Sequence, residues 1–185
     1  PLPLQLPVGK EETFRGIIDL VEEKMMHFDE DTKGFKVEYE PVPDEFKKES
    51  TAARMALIEK LADFDDGVME KFLNEQVVTV DEINRAIRAA TLNLDVVPVL
   101  CGSSFKNKGV QPLLDAVVAY LPSHLDAPPV QGVNADGVLE TRRASDDENL
   151  SALGFKLTSD PFVDILAYVR VYSGVIKVGD RGYNP

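Results

Sequence analysis

The chain has 185 residues, and its 32 acidic side chains outweigh 20 basic ones to give a net charge of −12, so it lacks the clustered Lys and Arg with which a whole surface docks on a phosphate backbone; an acidic chain still serves a nucleic-acid machine by touching its basic proteins. No apolar run approaches the roughly 18 residues of a membrane span, and the lone Cys101 cannot form an internal disulfide, which makes the reducing cytosol the expected setting. The length suits one full domain and part of another, and a chain that opens on Pro1 without Met and closes on Pro185 just after strand-like sequence is expected to be a piece of a longer protein.

Leu4-Gln5-Leu6-Pro7-Val8-Gly9 alternates as a strand ending in a turn, and Phe14 to Asp19 mixes β-branched and aromatic residues in the same manner. Met25-Met26-His27-Phe28 and Phe35-Lys36-Val37-Glu38-Tyr39 flank the polar stretch Asp29-Glu30-Asp31-Thr32-Lys33-Gly34, which predicts a hairpin. Strong helix formers from Asp44 to Ala62 place Phe46, Ala53, Leu57 and Leu61 on one stripe. Acidic residues crowd the far end of that helix and the next turn, at Glu59, Asp63, Asp65, Asp66 and Glu70, where a helix dipole favours cations. A short helix near Val68 to Leu73 is expected next. Thr79-Val80-Asp81-Glu82 then offers a capping box for a helix to about Thr91, with Ile83, Ala86, Ile87 and Ala90 facing inward.

Val96 to Leu100 is wholly apolar and predicts a strand covered on both faces, as in a parallel sheet. After a loop from Gly102 to Gly109, the spacing of Val110, Leu113, Leu114, Val117, Val118 and Leu121 predicts the buried stripe of a helix, with Pro112 tolerated in its first turn and Pro122 ending it. Residues 122–150 read as an inter-domain connection with one weak hairpin. Leu153 to Ser159 and Val163 to Tyr172 read as strands around an Asp160-Pro161 turn, the start of an all-β domain. The expected class is α+β.

Ligands of open α/β sheets sit beyond the carboxyl ends of the strands, so the loop after Leu100 is the natural candidate site. No G-x-x-x-x-G-K-[ST] phosphate loop occurs in the chain, and Asn107-Lys108-Gly109 lacks the Asp of an Asn-Lys-x-Asp guanine motif. Other residues carry bland expectations. His27 and His124 lack ligands at metal spacing, neighbouring Asp65 and Asp66 point in different directions, Met25 and Met26 are packing residues, and Cys101 is a small buried residue with no activating base. No metal site and no catalytic residue is expected.

The string VPVLCGSSFKNKGVQPLLDAVVAYLPS, with its uncommon loop and fixed exit helix, resembles the elongation factor G family of translational GTPases. PLQLPVG and FRGIIDL resemble the family segment that follows the nucleotide-binding core, and SALGFKLTSDPFVDILAYVRVYSG resembles the first strands of its β-barrel second domain. The resemblance implies an insertion subdomain of the GTPase domain over 1–95, the terminal strand, guanine loop and helix of that α/β P-loop domain over 96–122, a linker over 123–150, and the first barrel strands over 151–185. It implies a parent that couples GTP hydrolysis, with GTP/GDP and Mg2+ as cofactors, to movement of tRNA and mRNA through the ribosome, in the cytoplasm or, for an organelle paralogue, the mitochondrial matrix. Recycling, release-factor and tetracycline-protection GTPases share the plan, and a stand-alone ribosome-stalk-binding module is the rival of another class.

By the same resemblance, Ser103, Ser104 and Phe105 match the last guanine motif, where the family usually has Ser-Ala-Phe. A backbone amide at Ser104 would donate to guanine O6, where adenine presents an amino group and repels it; replacing Ala by Ser leaves a backbone donor intact. Lys106 would lie along the base plane by its alkyl stem. The phosphate and magnesium contacts would lie outside these residues, so the segment alone is expected neither to bind GTP tightly nor to hydrolyse it. In the family the insertion meets the carboxyl-terminal domain of the ribosomal stalk protein, and Glu49, Glu59, Asp63 and Asp66 are the candidates for an acidic face toward that partner. No membrane contact is expected, tRNA and mRNA are met only indirectly, and the protein is expected to be a monomer.

Overall fold

The computed structural model describes residues 1–29, 32, 34–134, 137–162 and 164–182, and the chain divides into two compact units, Pro1–Leu121 and the residues from Pro122 onward. The class is α+β. In the first unit the opening strand is split. β1, Leu2–Pro3, runs parallel to β6, Pro98–Val99, and the amides of Leu2 and Leu4 donate to the carbonyls of Val97 and Val99 at 2.8 and 2.9 Å. One residue later the chain changes partner, and β2, Gln5–Val8, joins an antiparallel sheet in the order β2-β3-β4-β5 with β3 at Gly16–Asp19, β4 at Lys24–Phe28 and β5 at Val37–Pro41. The β4–β5 pair is the expected hairpin; of its turn, residues 30, 31 and 33 lie outside the described set.

Helix α1 forms over Asp44–Ala62, as its composition predicts, with Leu57 and Leu61 buried. Arg54, on its sheet-facing side, anchors it by donating through Nη1 to the carbonyls of Leu20 and Val21. The acidic crowding at its end has a local explanation. Asp65 is the N-cap of α2, Asp66–Leu73, accepting from the Val68 amide at 3.0 Å, and Asp66 sits in that helix's first turn, where anions are favoured. Helix α3, Val80–Leu92, opens with the expected capping box: the Thr79 amide donates to Glu82 Oε2 at 2.9 Å and the Glu82 amide to Thr79 Oγ1 at 3.3 Å. Ile83, Ala86, Ile87 and Ala90 are all buried. With Leu2, Ile18, Leu20, Met25 and Leu61 they form one core between sheet and helices, each large aliphatic stabilising it by about 1.5–3 kcal/mol.

Two expectations fail at the end of this unit. The strand expected over 96–100 is only two residues long and lies at an edge, with Val97 66% exposed; among the described residues its strand partner is β1. Helix α4, Val110–Tyr120, forms where expected, yet its apolar stripe is uncovered, with Leu114 59% and Val118 82% exposed. The helix meets α3 through its other side, where Tyr120 Oη donates to Asn84 Oδ1 at 2.7 Å and Arg88 donates to the Ala119 and Leu121 carbonyls at 2.9 and 3.3 Å. Periodicity reports that a stripe is apolar; burial requires an element to cover it, and no described residue of this unit does so.

In the second unit, β7, Val130–Val133, and β8, Leu139–Arg142, form the hairpin expected within the connecting stretch. β9, Ser151–Asp160, and β10, Asp164–Ser173, form a longer hairpin with register shifts at Tyr168/Val169 and Val171/Ser173. Val163, where the second strand was expected to begin, lies outside the described residues. The end of β10 is tied back to the chain before β9: Ser173 Oγ donates to the Asn149 carbonyl at 2.7 Å and the Gly174 amide to the Ser145 carbonyl at 2.9 Å.

Candidate functional site

The loop beyond β6 starts from a buried polar residue that sequence reasoning missed. Gln5 interrupts an otherwise apolar strand start, and its Oε1 accepts from the Cys101 amide at 3.2 Å, fixing where the chain leaves the strand. Two residues on, Ser103 and Lys108 exchange both backbone hydrogen bonds, Ser103 N to Lys108 O at 2.8 Å and Lys108 N to Ser103 O at 3.0 Å. Between them Ser104–Lys106 form one 3-10 turn, closed by Asn107 in the left-handed region at φ 53°. The turn uses its own carbonyls: the Lys106 amide donates to Ser103 O and the Asn107 amide to Ser104 O.

That geometry leaves the first amides of the turn, at Ser104 and Phe105, without a protein acceptor among the described residues, as the start of any short helix does. Ser103 and Ser104 border a cavity of about 210 Å³ together with Cys101, Gly102 and Lys108. Phe105, 99% exposed, and Lys106, also exposed, do not border it. Gly109 closes the loop at φ +85°, where a Cβ would lie 2.8 Å from the Cys101 carbonyl oxygen, so the crossing of the two loop arms requires glycine. Lys108 folds inward, with Nζ 3.5 Å from the Phe14 carbonyl oxygen. Burial pushes the Cys101 thiol up to about 11, which keeps it protonated and unreactive at neutral pH.

The loop is therefore held by its own backbone exchange and presents free amide donors at the start of its turn. Among the described residues no three His, Cys, Asp or Glu side chains converge.

The acidic candidates are exposed but do not form one patch. Glu59 and Asp63, the C-cap of α1, lie four residues apart at the end of that helix, whereas Glu49 lies about 15 Å further along the axis from Glu59 and Asp66 belongs to α2. Asp63 already holds Lys60, at 2.9 Å. His27 is engaged with Glu40 across the β4–β5 pair at 2.6 Å.

No family model matches the chain. It is 55% identical, over all 185 of its residues and 27% of the relative's length, to elongation factor G 2 of Desulfotalea psychrophila (strain LSv54 / DSM 12343). It also superposes on a crystal structure from Thermus thermophilus with TM-score 0.70 and 26% identity, over 97% of this chain and 24% of that one. The chain thus spans about a quarter of the length of the proteins it matches. An identity of this size over the whole chain extends the likeness well beyond the loop, and the chain belongs to the elongation factor G family.

Proposed function

We propose that the chain is the part of a ribosomal translocase GTPase that reads the guanine base and presents an insertion subdomain to the ribosome. The observation that carries the reading is the free Ser104 amide on a turn held from both sides, in a loop placed at the carboxyl end of a parallel strand. Ser104 N–H donates to guanine O6, Ser103 and Phe105 shape the turn, and the stem of Lys106 lies along the base. GTP or GDP supplies the acceptor, and the phosphate and Mg2+ contacts belong to other parts of the parent. Residues 1–95 are the insertion, 96–122 the end of the GTPase domain, 123–150 a linker and 151–185 the start of a β-barrel. Exposed Glu59 and Asp63 at the end of α1 offer an acidic surface to the stalk protein's carboxyl-terminal domain, with Asp66 at the start of α2 and Glu49 further along α1 as separate acidic contacts. The parent acts in the cytoplasm, meeting tRNA and mRNA through the ribosome.

The test is translocation by the full-length protein, read as puromycin reactivity of peptidyl-tRNA on pre-translocation ribosomes. GTP is expected to give multiple-turnover movement. Reactivity that does not depend on the guanine nucleotide overturns the reading.

A further inference from the structure

The loop is held not only by the strand it leaves but by a remote turn. Gly34, in the β4–β5 connection, is buried at φ +80°, and a Cβ there would lie 2.8 Å from the Lys106 carbonyl oxygen and 3.0 Å from that of Asn107. Backbone therefore meets backbone along the outer edge of the 3-10 turn. Gln111, in the first turn of α4, ties the same connection down by donating through Nε2 to the carbonyls of Phe35 at 3.1 Å and Gly34 at 3.4 Å. Its Oε1 is buried and accepts from no donor among the described residues. The opposite amide orientation would set that oxygen against two carbonyl oxygens, so the side chain serves as a donor clamp.

We infer that Gly34 and Gln111 are positioning residues for guanine recognition: the β4–β5 connection braces the Ser104–Lys106 turn, and through it the Ser104 amide is aimed at position 6 of the base. This rests on the guanine reading given above. The brace acts on base selection, because the groups it presses on are the Lys106 and Asn107 carbonyls that close the turn opened by the donor, not any phosphate contact.

The experiment compares GDP with 2,6-diaminopurine riboside diphosphate, which keeps the 2-amino group and replaces O6 by an amino group, as ligands of the full-length protein carrying this segment. Gln111→Glu keeps the shape and removes the donor. It is expected to weaken GDP binding about 5- to 10-fold, the effect of one displaced hydrogen bond, while the diaminopurine analogue changes by less than about two-fold, so that discrimination falls by the same factor. Gly34→Ala, which forces the Lys106 carbonyl to move, is expected to act in the same direction; should it fail to fold, Gln111→Glu decides alone. If wild-type protein prefers GDP but Gln111→Glu keeps the full preference, or loses both ligands equally, the brace is wrong and the guanine loop stands. If wild-type protein shows no preference between the two ligands, the guanine reading itself falls and the brace with it.

Discussion

Replacing Ser104 by proline deletes the proposed base donor with little else disturbed. Ser104 is the first residue of its 3-10 turn and its amide has no protein acceptor among the described residues, so proline removes no internal hydrogen bond, and its fixed φ near −65° suits the first position of a helical turn. The preceding residue is also extended rather than helical: Ser103 has φ −129° and ψ 94°, so a modest rotation of ψ brings it into the range a residue before proline prefers. With guanine bound, O6 would then be left in the pocket without its donor, which costs about 1–3 kcal/mol, or about 5- to 150-fold in the dissociation constant. The assay is equilibrium binding of GDP to full-length protein by calorimetry, with the melting temperature as a check on folding. Ser104→Ala, which keeps the amide, is expected to bind within about two-fold of wild type because the recognising group is backbone. A folded Ser104→Pro protein that binds GDP as tightly as wild type refutes the assignment, as does a Ser104→Ala protein that loses the affinity.

Three further outcomes follow from the first unit. The hydrogen bond from Lys71, aided by the Thr79 amide and hydroxyl, holds the Glu82 carboxyl down at about 2. Its folded value lies below the ordinary one, so its stabilisation is present above the ordinary carboxylate range and is lost as pH falls toward 2; thermal melts between pH 5 and 2 should show a shallower decline for Glu82→Gln than for wild type, and parallel declines would refute the claim. Ile87→Ala empties a fully buried site and is expected to destabilise the unit by about 2–5 kcal/mol, read from urea unfolding; a loss below about 1 kcal/mol would mean that the core collapses around the gap. Charge reversal at Glu59 and Asp63 together is expected to slow stalk-stimulated GTP turnover of the full-length protein and to weaken its salt dependence, and an unchanged rate and salt dependence would remove α1 from the stalk contact.

What could be read from the sequence was what local chemistry determines. Helix α1 announces itself through composition and a stripe from Phe46 to Leu61, and α3 through a capping box whose two hydrogen bonds span only three residues. The stretch after Leu100 was legible as a loop from its small and polar residues, while its reading as a guanine motif came only from the resemblance. Burial was not legible. The stripe on α4 has the same periodicity whether or not a neighbour covers it, and the two-residue strand Pro98–Val99 depends on pairing with Leu2 and Pro3, almost a hundred residues earlier. The same distance hid Gln5, which fixes the start of the loop, and Gln111, which reaches back to Gly34 and Phe35. Gln5 did leave a trace as a polar residue inside an apolar strand pattern. Gly34 left none, because a glycine at the end of a polar turn is expected for the turn alone.

These long-range contacts bear on how a loop with so few side-chain functions could select a base. A donor made by backbone cannot be tuned by changing its own side chain; its aim is set by whatever fixes the peptide planes around it. In this loop the planes are fixed by the Ser103–Lys108 exchange at the neck, by Gly109 against the Cys101 carbonyl at the crossing, by the Gln5 side chain at the entrance and by Gly34 on the outer edge. Two of these constraints are internal to the loop, and two reach it from β2 and from the β4–β5 connection, so a displaced support is expected to tilt the turn without removing a ligand contact. Selectivity for guanine should therefore be more sensitive to substitutions at these supports than to substitution of the Ser104 side chain that borders the cavity, the reverse of the pattern expected where side chains read the base directly.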